Sequence, residues 1–415
     1  MSGLYDGNTL VEFWKPEREY APDEWRTAGE AAVAVLPGGA EVLAQEGWDG
    51  LMEYILGEGQ FGPNRYRLSR FKRFYYLLRP ILPRQLTAVV RQHYRRRQEG
   101  ASALDWPIED RYVRFLYEAF ERCTGAGAAL TAPDSRAGAL QSEPSHRGFW
   151  PGGARFAFVL THDVERADGQ AFVRALADLD ERYGFRSSFN FVPEGYPVTQ
   201  ALLSELRERG FEVGVHGLKH DGKLFLSRRE FERRAQRING YLQEWGAVGF
   251  RSPFTHRNAE WMQVLEIEYD SSFFDTDPYE TMPGGTMSIW PFFCGRFVEL
   301  PYTLVQDHTL LVTLGQRTPT LWLEKVDFIA RWGGMALLNV HPDYMRDPGY
   351  LAVYEEFLRR MANKREQQEE AGNSAMGCSP YWHALPREVA RWWRIRAGQA
   401  DSAGALVSPS TCRSS

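Results

Sequence analysis

Between residues 151 and 398 short apolar runs alternate with amphipathic stretches, and this alternation restricts the fold more than any other feature of the chain. "RFAFVL" precedes a helical pattern near 169–183, and "SSFNFV" one near 199–209. "FEVGV" is followed by a long helical stretch over 227–245, and "AVGF" by a short one near 258–265. "FVELPYTL" and "LLVTL" come next, then a helix over 319–332 and the run "MALLNV". Continuous apolar runs of four to eight residues suit strands buried on both faces, and intervening helices are what parallel strands need to cross over. Six to eight such units in about 245 residues suit a closed (β/α) barrel better than an open doubly wound sheet. The fold expected here is α/β, a (β/α) barrel with a mainly helical N-terminal extension.

In a barrel of this kind chemistry collects where the strands end. "RFAFVL" runs into Thr161-His162-Asp163-Val164-Glu165, and "FEVGV" into His216-Gly217-Leu218-Lys219-His220. "AVGF" leads to Arg251-Ser252-Pro253, and "MALLNV" to His341-Pro342-Asp343-Tyr344. Two neutral imidazoles and a carboxylate form a facial ligand set for a divalent cation, with positions left for water and substrate. His216 and His220 reach one ion if the loop between them turns, which Gly217 permits. HxxxH alone is a weak signal. A carboxylate on a second strand end strengthens it.

In order, "LTHDVE", "HGLKH", "RSP", "YDSSFFDTDP" and "LLNVHPDY" resemble the motifs of the polysaccharide deacetylase family, also known as the NodB homology domain of chitooligosaccharide deacetylases. The resemblance spans roughly 155–396 and implies a deformed (β/α)7 barrel that removes acetyl groups from N-acetylated sugars with a metal, most commonly Zn²⁺. It implies Asp163 as the base, His341 as the acid protonating the leaving amine, and Arg251 as the group orienting Asp163. His216 and His220 would be metal ligands. Where the family places a second aspartate, this chain has Val164, which cannot ligate. Residues 163 and 165 of an extended segment face the same way, so Glu165 is the favoured carboxylate ligand. Alternatively Asp163 binds the metal and His162 serves as base, or the metal site is degraded. Gly217 stands where the family has Ser or Thr.

An aspartate of "YDSSFFDTDP" is implied to tune the catalytic histidine, with Asp270, Asp275 and Asp277 as candidates. Asp307 and His308 lie at another strand end, as a rim contact or a structural pair. Pro253, Asp270, Trp290 and Tyr344 are candidate substrate contacts. Trp290, Phe292, Phe293 and Tyr344 offer rings to stack on a sugar or to pack a core. His256 reads as a surface loop residue.

The expected organisation is an N-terminal segment over 1–62, a basic helical segment over 63–125, a linker over 126–150, the barrel over 151–398 and a disordered tail over 399–415. Ten Arg and one Lys, with no acidic residue, lie between Arg65 and Arg97, and Pro80 and Pro83 divide that stretch into two short helices. It reads as a basic pair docked on the barrel or as peripheral contact with an anionic membrane face. A net charge of −5 argues against nucleic acid as a partner. Four scattered cysteines form no CxxC pair, and no secretory or membrane-spanning run is present, so a cytoplasmic location is expected. The predicted reaction is hydrolysis of an N-acetyl group on a sugar or glycan precursor by metal-activated water. The alternatives are hydrolysis of another amide or an O-acetyl ester, and an inactive glycan-binding protein on the same fold.

Overall fold

The computed structural model describes residues 3–16, 18–67, 103–125, 149–371 and 381–399. Most of the basic segment (68–102), all but the last two residues of the predicted linker (126–148) and all but the first residue of the predicted tail (400–415) lie outside the described residues.

The apolar runs form strands. They are β1 Phe156–Val164, β2 Ser188–Phe191, β3 Glu212–His216, β4 Gly249–Arg251, β5 Tyr269–Asp270, β6 Phe292–Cys294, β7 Phe297–Glu299, β8 Met335–Val340 and β9 Tyr381–His383. One sheet holds them in the order β6-β7-β5-β4-β3-β2-β1-β8, and β9 joins the start of β1 on the edge that β2 occupies farther along. Among the described residues every strand pairing is parallel except the β6–β7 hairpin. Without β6 and β9, seven parallel strands make the circuit, a deformed (β/α)7 barrel.

The circuit closes without a regular ladder. "FVELPYTL" pairs as a strand only at 297–299, because Pro301 has no N–H to donate. Beyond it the N–H groups of Thr303 and Leu304 donate to Leu337 O of β8 at 3.3 and 3.1 Å. Thr303 Oγ1 donates to Met335 O at 2.6 Å. The expected strand at "LLVTL" is instead one π-helical turn, His308–Thr313, where the Asp307 carboxylate accepts the His308 N–H at 2.7 Å. A run this short carries no periodicity to tell strand from helix, so its polar neighbours decide.

Helices start where capping side chains sit. Thr199, Ser227 and Asn258 accept N–H groups from the first turns of helices Gln200–Glu208, Arg228–Trp245 and Ala259–Met262. N-terminal helices Leu10–Trp14, Pro22–Ala32 and Gly39–Ile55, with helix Arg111–Thr124, share one continuous core with the barrel. Trp14 Nε1 donates to Leu116 O, and the Phe13 ring packs edge-on against Trp290 at 5.1 Å. Among the described residues no helix is long and apolar enough to cross a membrane.

Candidate active site

β1 separates its side chains by parity. Thr161 and Asp163 face inward, where Thr161 meets Asn339 and Arg251. His162 faces the covering helix Ala167–Arg182, with Nε2 2.9 Å from Asp180 Oδ2 and Nδ1 3.1 Å from Val340 O. His162 therefore stands outside the site, and its alternative role as base is excluded by direction.

Asp163 is buried among donors. Asn190 and Asn339 each donate to one of its oxygens at 2.9 Å, and Arg251 Nε lies 3.6 Å away. Burial alone would raise its pKa; His216, Arg251, His341 and the Asn190 hydrogen bond hold it below the usual carboxylate value. Arg251, also buried, donates through Nη2 to Thr161 Oγ1 at 3.1 Å.

His216 is the last residue of β3, and its Nδ1 donates to Arg251 O at 3.1 Å. That bond fixes the tautomer and leaves the Nε2 lone pair facing the cavity, where the buried atom has no hydrogen-bond partner. Burial lowers the imidazole pKa to about 4 against the pull of Asp163, so the ring is neutral at physiological pH. The chain then turns at Gly217, whose φ is +63° and where a Cβ would lie 2.5 Å from the Pro253 ring. A larger residue would have to displace Pro253. Pro253 is thus the wall behind this turn.

His220 Nε2 lies 3.0 Å from Glu165 Oε1 but outside hydrogen-bond alignment. Burial raises the Glu165 pKa, yet His220, His341 and His216 outweigh it and hold the carboxyl well below its usual value. Glu165, His216 and His220 each present one donor atom, all within 4.8 Å of one another. Two imidazoles whose Nε2 atoms make no hydrogen bond and one ionised carboxylate fit a divalent cation. Val164 is wholly buried at the last position of β1, and the next residue, Glu165, reaches the cluster.

His341 follows β8 on the other side of Glu165, with Nε2 3.9 Å from Glu165 Oε1. Its Nδ1 donates to Asp307 Oδ1 at 2.6 Å, and its backbone N–H donates to Asp307 Oδ2 at 2.7 Å. Burial pulls its pKa down, but Asp307, Glu165 and Asp163 together push it up to about 10.

None of the three aspartates expected to tune this histidine reaches it. Asp270 is wholly buried and accepts from Ser272 N and Oγ at 3.1 and 2.7 Å. Asp275 pairs with Lys325 at 2.7 Å, and Asp277 accepts the Tyr279 N–H. The role falls to Asp307. Trp290, a candidate for sugar stacking, has no exposed surface, and its indole N–H donates to Gly333 O at 2.8 Å beneath the start of β8. It is a core residue, and Phe292 and Phe293 are buried with it. Tyr344 does stand at the rim, its ring 5.3 Å from that of His341. His256 is buried, not in a surface loop. Asn190 and Asn339 were not anticipated; an amide at an inward position of an otherwise apolar strand is the signal they left.

No protein-family model matches the sequence, and no curated protein matches it. Solved structures do. A chain assigned as a polysaccharide deacetylase from Mycobacterium smegmatis is 20% identical, with a TM-score of 0.46, over 63% of this chain and 97% of that one. PuuE allantoinase is 15% identical, with a TM-score of 0.43, over 64% and 98%. A family 4 carbohydrate esterase from Streptomyces lividans, solved in complex with acetate, is 14% identical, with a TM-score of 0.34, over 51% and 90%.

Proposed function

We propose that this protein is a metal-dependent hydrolase that removes the acetyl group from an N-acetylated sugar or glycan precursor. The juxtaposition that carries this assignment is a three-donor cluster, Glu165, His216 and His220, flanked by the base Asp163 and the acid His341. Hydrolysis of an amide needs an activated water, a stabilised oxyanion and a proton for the departing amine. Glu165, His216 and His220 would hold a divalent ion, which would supply Lewis acidity toward the carbonyl and lower the pKa of water. Asp163, ionised and aimed by two asparagines and Arg251, accepts the water's proton. His341, kept protonated by Asp307, delivers a proton to the leaving nitrogen from Nε2. The five ordered motifs support the acetylated-sugar substrate, and Tyr344 offers an aromatic face beside the acid.

Elemental analysis of the purified protein and acetate release from an N-acetylated oligosaccharide test this. About one divalent ion per chain is expected, lost in His216→Ala, His220→Ala and Glu165→Ala and retained in an inactive Asp163→Ala. A wild type that takes up no metal on reconstitution overturns the hydrolase. Loss of the ion in Asp163→Ala but not in Glu165→Ala moves the ligand role to Asp163. Turnover confined to a panel of O-acetyl esters would overturn the amide substrate.

A further inference from the structure

β1 ends at Val164, so Glu165 stands one residue beyond the strand pairing that holds the rest of the motif. Its backbone is held by a side chain. The Glu165 N–H donates to Asp343 Oδ2 at 2.9 Å, and Arg166 Nε donates to Asp343 Oδ1 at 3.0 Å. Asp343 is only 7% exposed and lies two residues after His341. Its carboxylate fits because residue 169 is glycine: a Cβ there would lie 2.2 Å from Asp343 Oδ2 and 2.5 Å from its Cγ. Gly169 sits in the first turn of helix Ala167–Arg182, where glycine weakens a helix relative to alanine. Its φ is not left-handed, so the missing Cβ provides room for a carboxylate, not backbone freedom.

We infer that Asp343 is a positioning residue for the Glu165 ligand, seated by Gly169. The inference rests on the reading of Glu165, His216 and His220 as a metal site. A carboxylate ligand on the strand itself would be oriented by the sheet. Here the ligand has moved past the strand end, and Asp343 does for the Glu165 backbone what a neighbouring strand does for Asp163. Because Asp343 belongs to the short helix Pro342–Met345 that follows His341, it also ties the metal ligand to the segment carrying the acid.

Zinc alone is the probe, titrated into the metal-free full-length protein against a chromophoric chelator. Loss of a group that orients a ligand from behind weakens metal binding about 10–100-fold. Asp343→Ala and Gly169→Ala are each expected to weaken zinc within that range, and Asp343→Asn, which keeps an acceptor oxygen, less than Asp343→Ala. Gly169→Ala removes no charge but crowds the buried Asp343 carboxylate, so a modestly lower thermal midpoint is expected beside the loss of zinc affinity, with the metal-free protein still unfolding cooperatively. Should Asp343→Ala not fold, Gly169→Ala decides alone. Wild-type zinc affinity in Gly169→Ala and Asp343→Ala, beside a weakened Glu165→Gln control, overturns Asp343's role and leaves the metal site standing. A wild type that binds no zinc overturns the metal site and this inference together.

Discussion

Asp307 holds both N–H groups on one side of His341, the backbone amide and the ring Nδ1–H, which leaves Nε2 as the only ring atom directed at Glu165 and the cavity. Asp307→Asn keeps the shape and removes the charge that raises the imidazole pKa. It is expected to lower kcat by about 10²–10⁴-fold, the scale of general acid catalysis, without loss of bound metal. On the proposed mechanism the protonated ring is the active form, so with Asp307 gone its pKa falls and the basic limb of kcat/KM moves to lower pH. Activity within tenfold of wild type, or an unmoved basic limb, would refute this role. Asp163, His216, His220, Arg251 and His341 could be singled out in the sequence because each is a costly polar group at the end of an apolar run. Asp307 could not be assigned. Its partner lies 34 residues away across an irregular closure, and no local spacing encodes that contact.

At the scale of elements, "MALLNV" is a strand over its whole length, since burial on both faces leaves an unbroken apolar run. The closure between β7 and β8 was not legible, because hydroxyl and carbonyl contacts around Thr303 replace a ladder. Nor did the sequence indicate how the N-terminal segment meets the site. Glu58, at φ 59°, accepts from Arg257 Nε at 2.8 Å and from Gly285 N at 2.6 Å, and both charged groups are wholly buried. Arg257 Nη1 donates to Thr255 O at 2.8 Å, which braces two further positive-φ residues, Phe254 and Thr255. The Phe254 ring lies 4.1 Å from that of His220. Strained backbone of this kind persists only where its surroundings over-determine it. Glu58→Ala leaves a buried guanidinium uncompensated, so a loss of about 3–5 kcal/mol in urea unfolding is expected. Glu58→Ala with Arg257→Met should recover much of it. If the double variant is no more stable than the single one, the buried charge is not the cause.

Across the whole molecule, one buried acid links three elements at the end of the barrel opposite the site. Glu212 opens β3, accepts the Tyr269 hydroxyl of β5 at 2.9 Å, and accepts the Arg387 N–H of helix Pro386–Arg396 at 3.1 Å. It is nearly inaccessible, and burial pushes its pKa up to about 7 despite these donors. In the unfolded chain it titrates near 4.5. Between those values the folded protein keeps a proton that the unfolded chain has released, so stability from this site falls as pH rises through that window. Below about 4.5 both states are protonated, and above about 7 the loss is complete, on the order of 3 kcal/mol. Glu212→Gln mimics the protonated carboxyl at every pH and should flatten that part of the curve. Urea unfolding at pH 5 and pH 8 measures it: the variant should gain on wild type by roughly that amount between the two conditions. If the two proteins change in parallel, Glu212 is already ionised in the fold, and the Tyr269 and Arg387 donors outweigh its burial. The assay reads the scaffold and leaves the strand-end chemistry untouched, because Glu212 and His216 occupy opposite ends of the same five-residue strand.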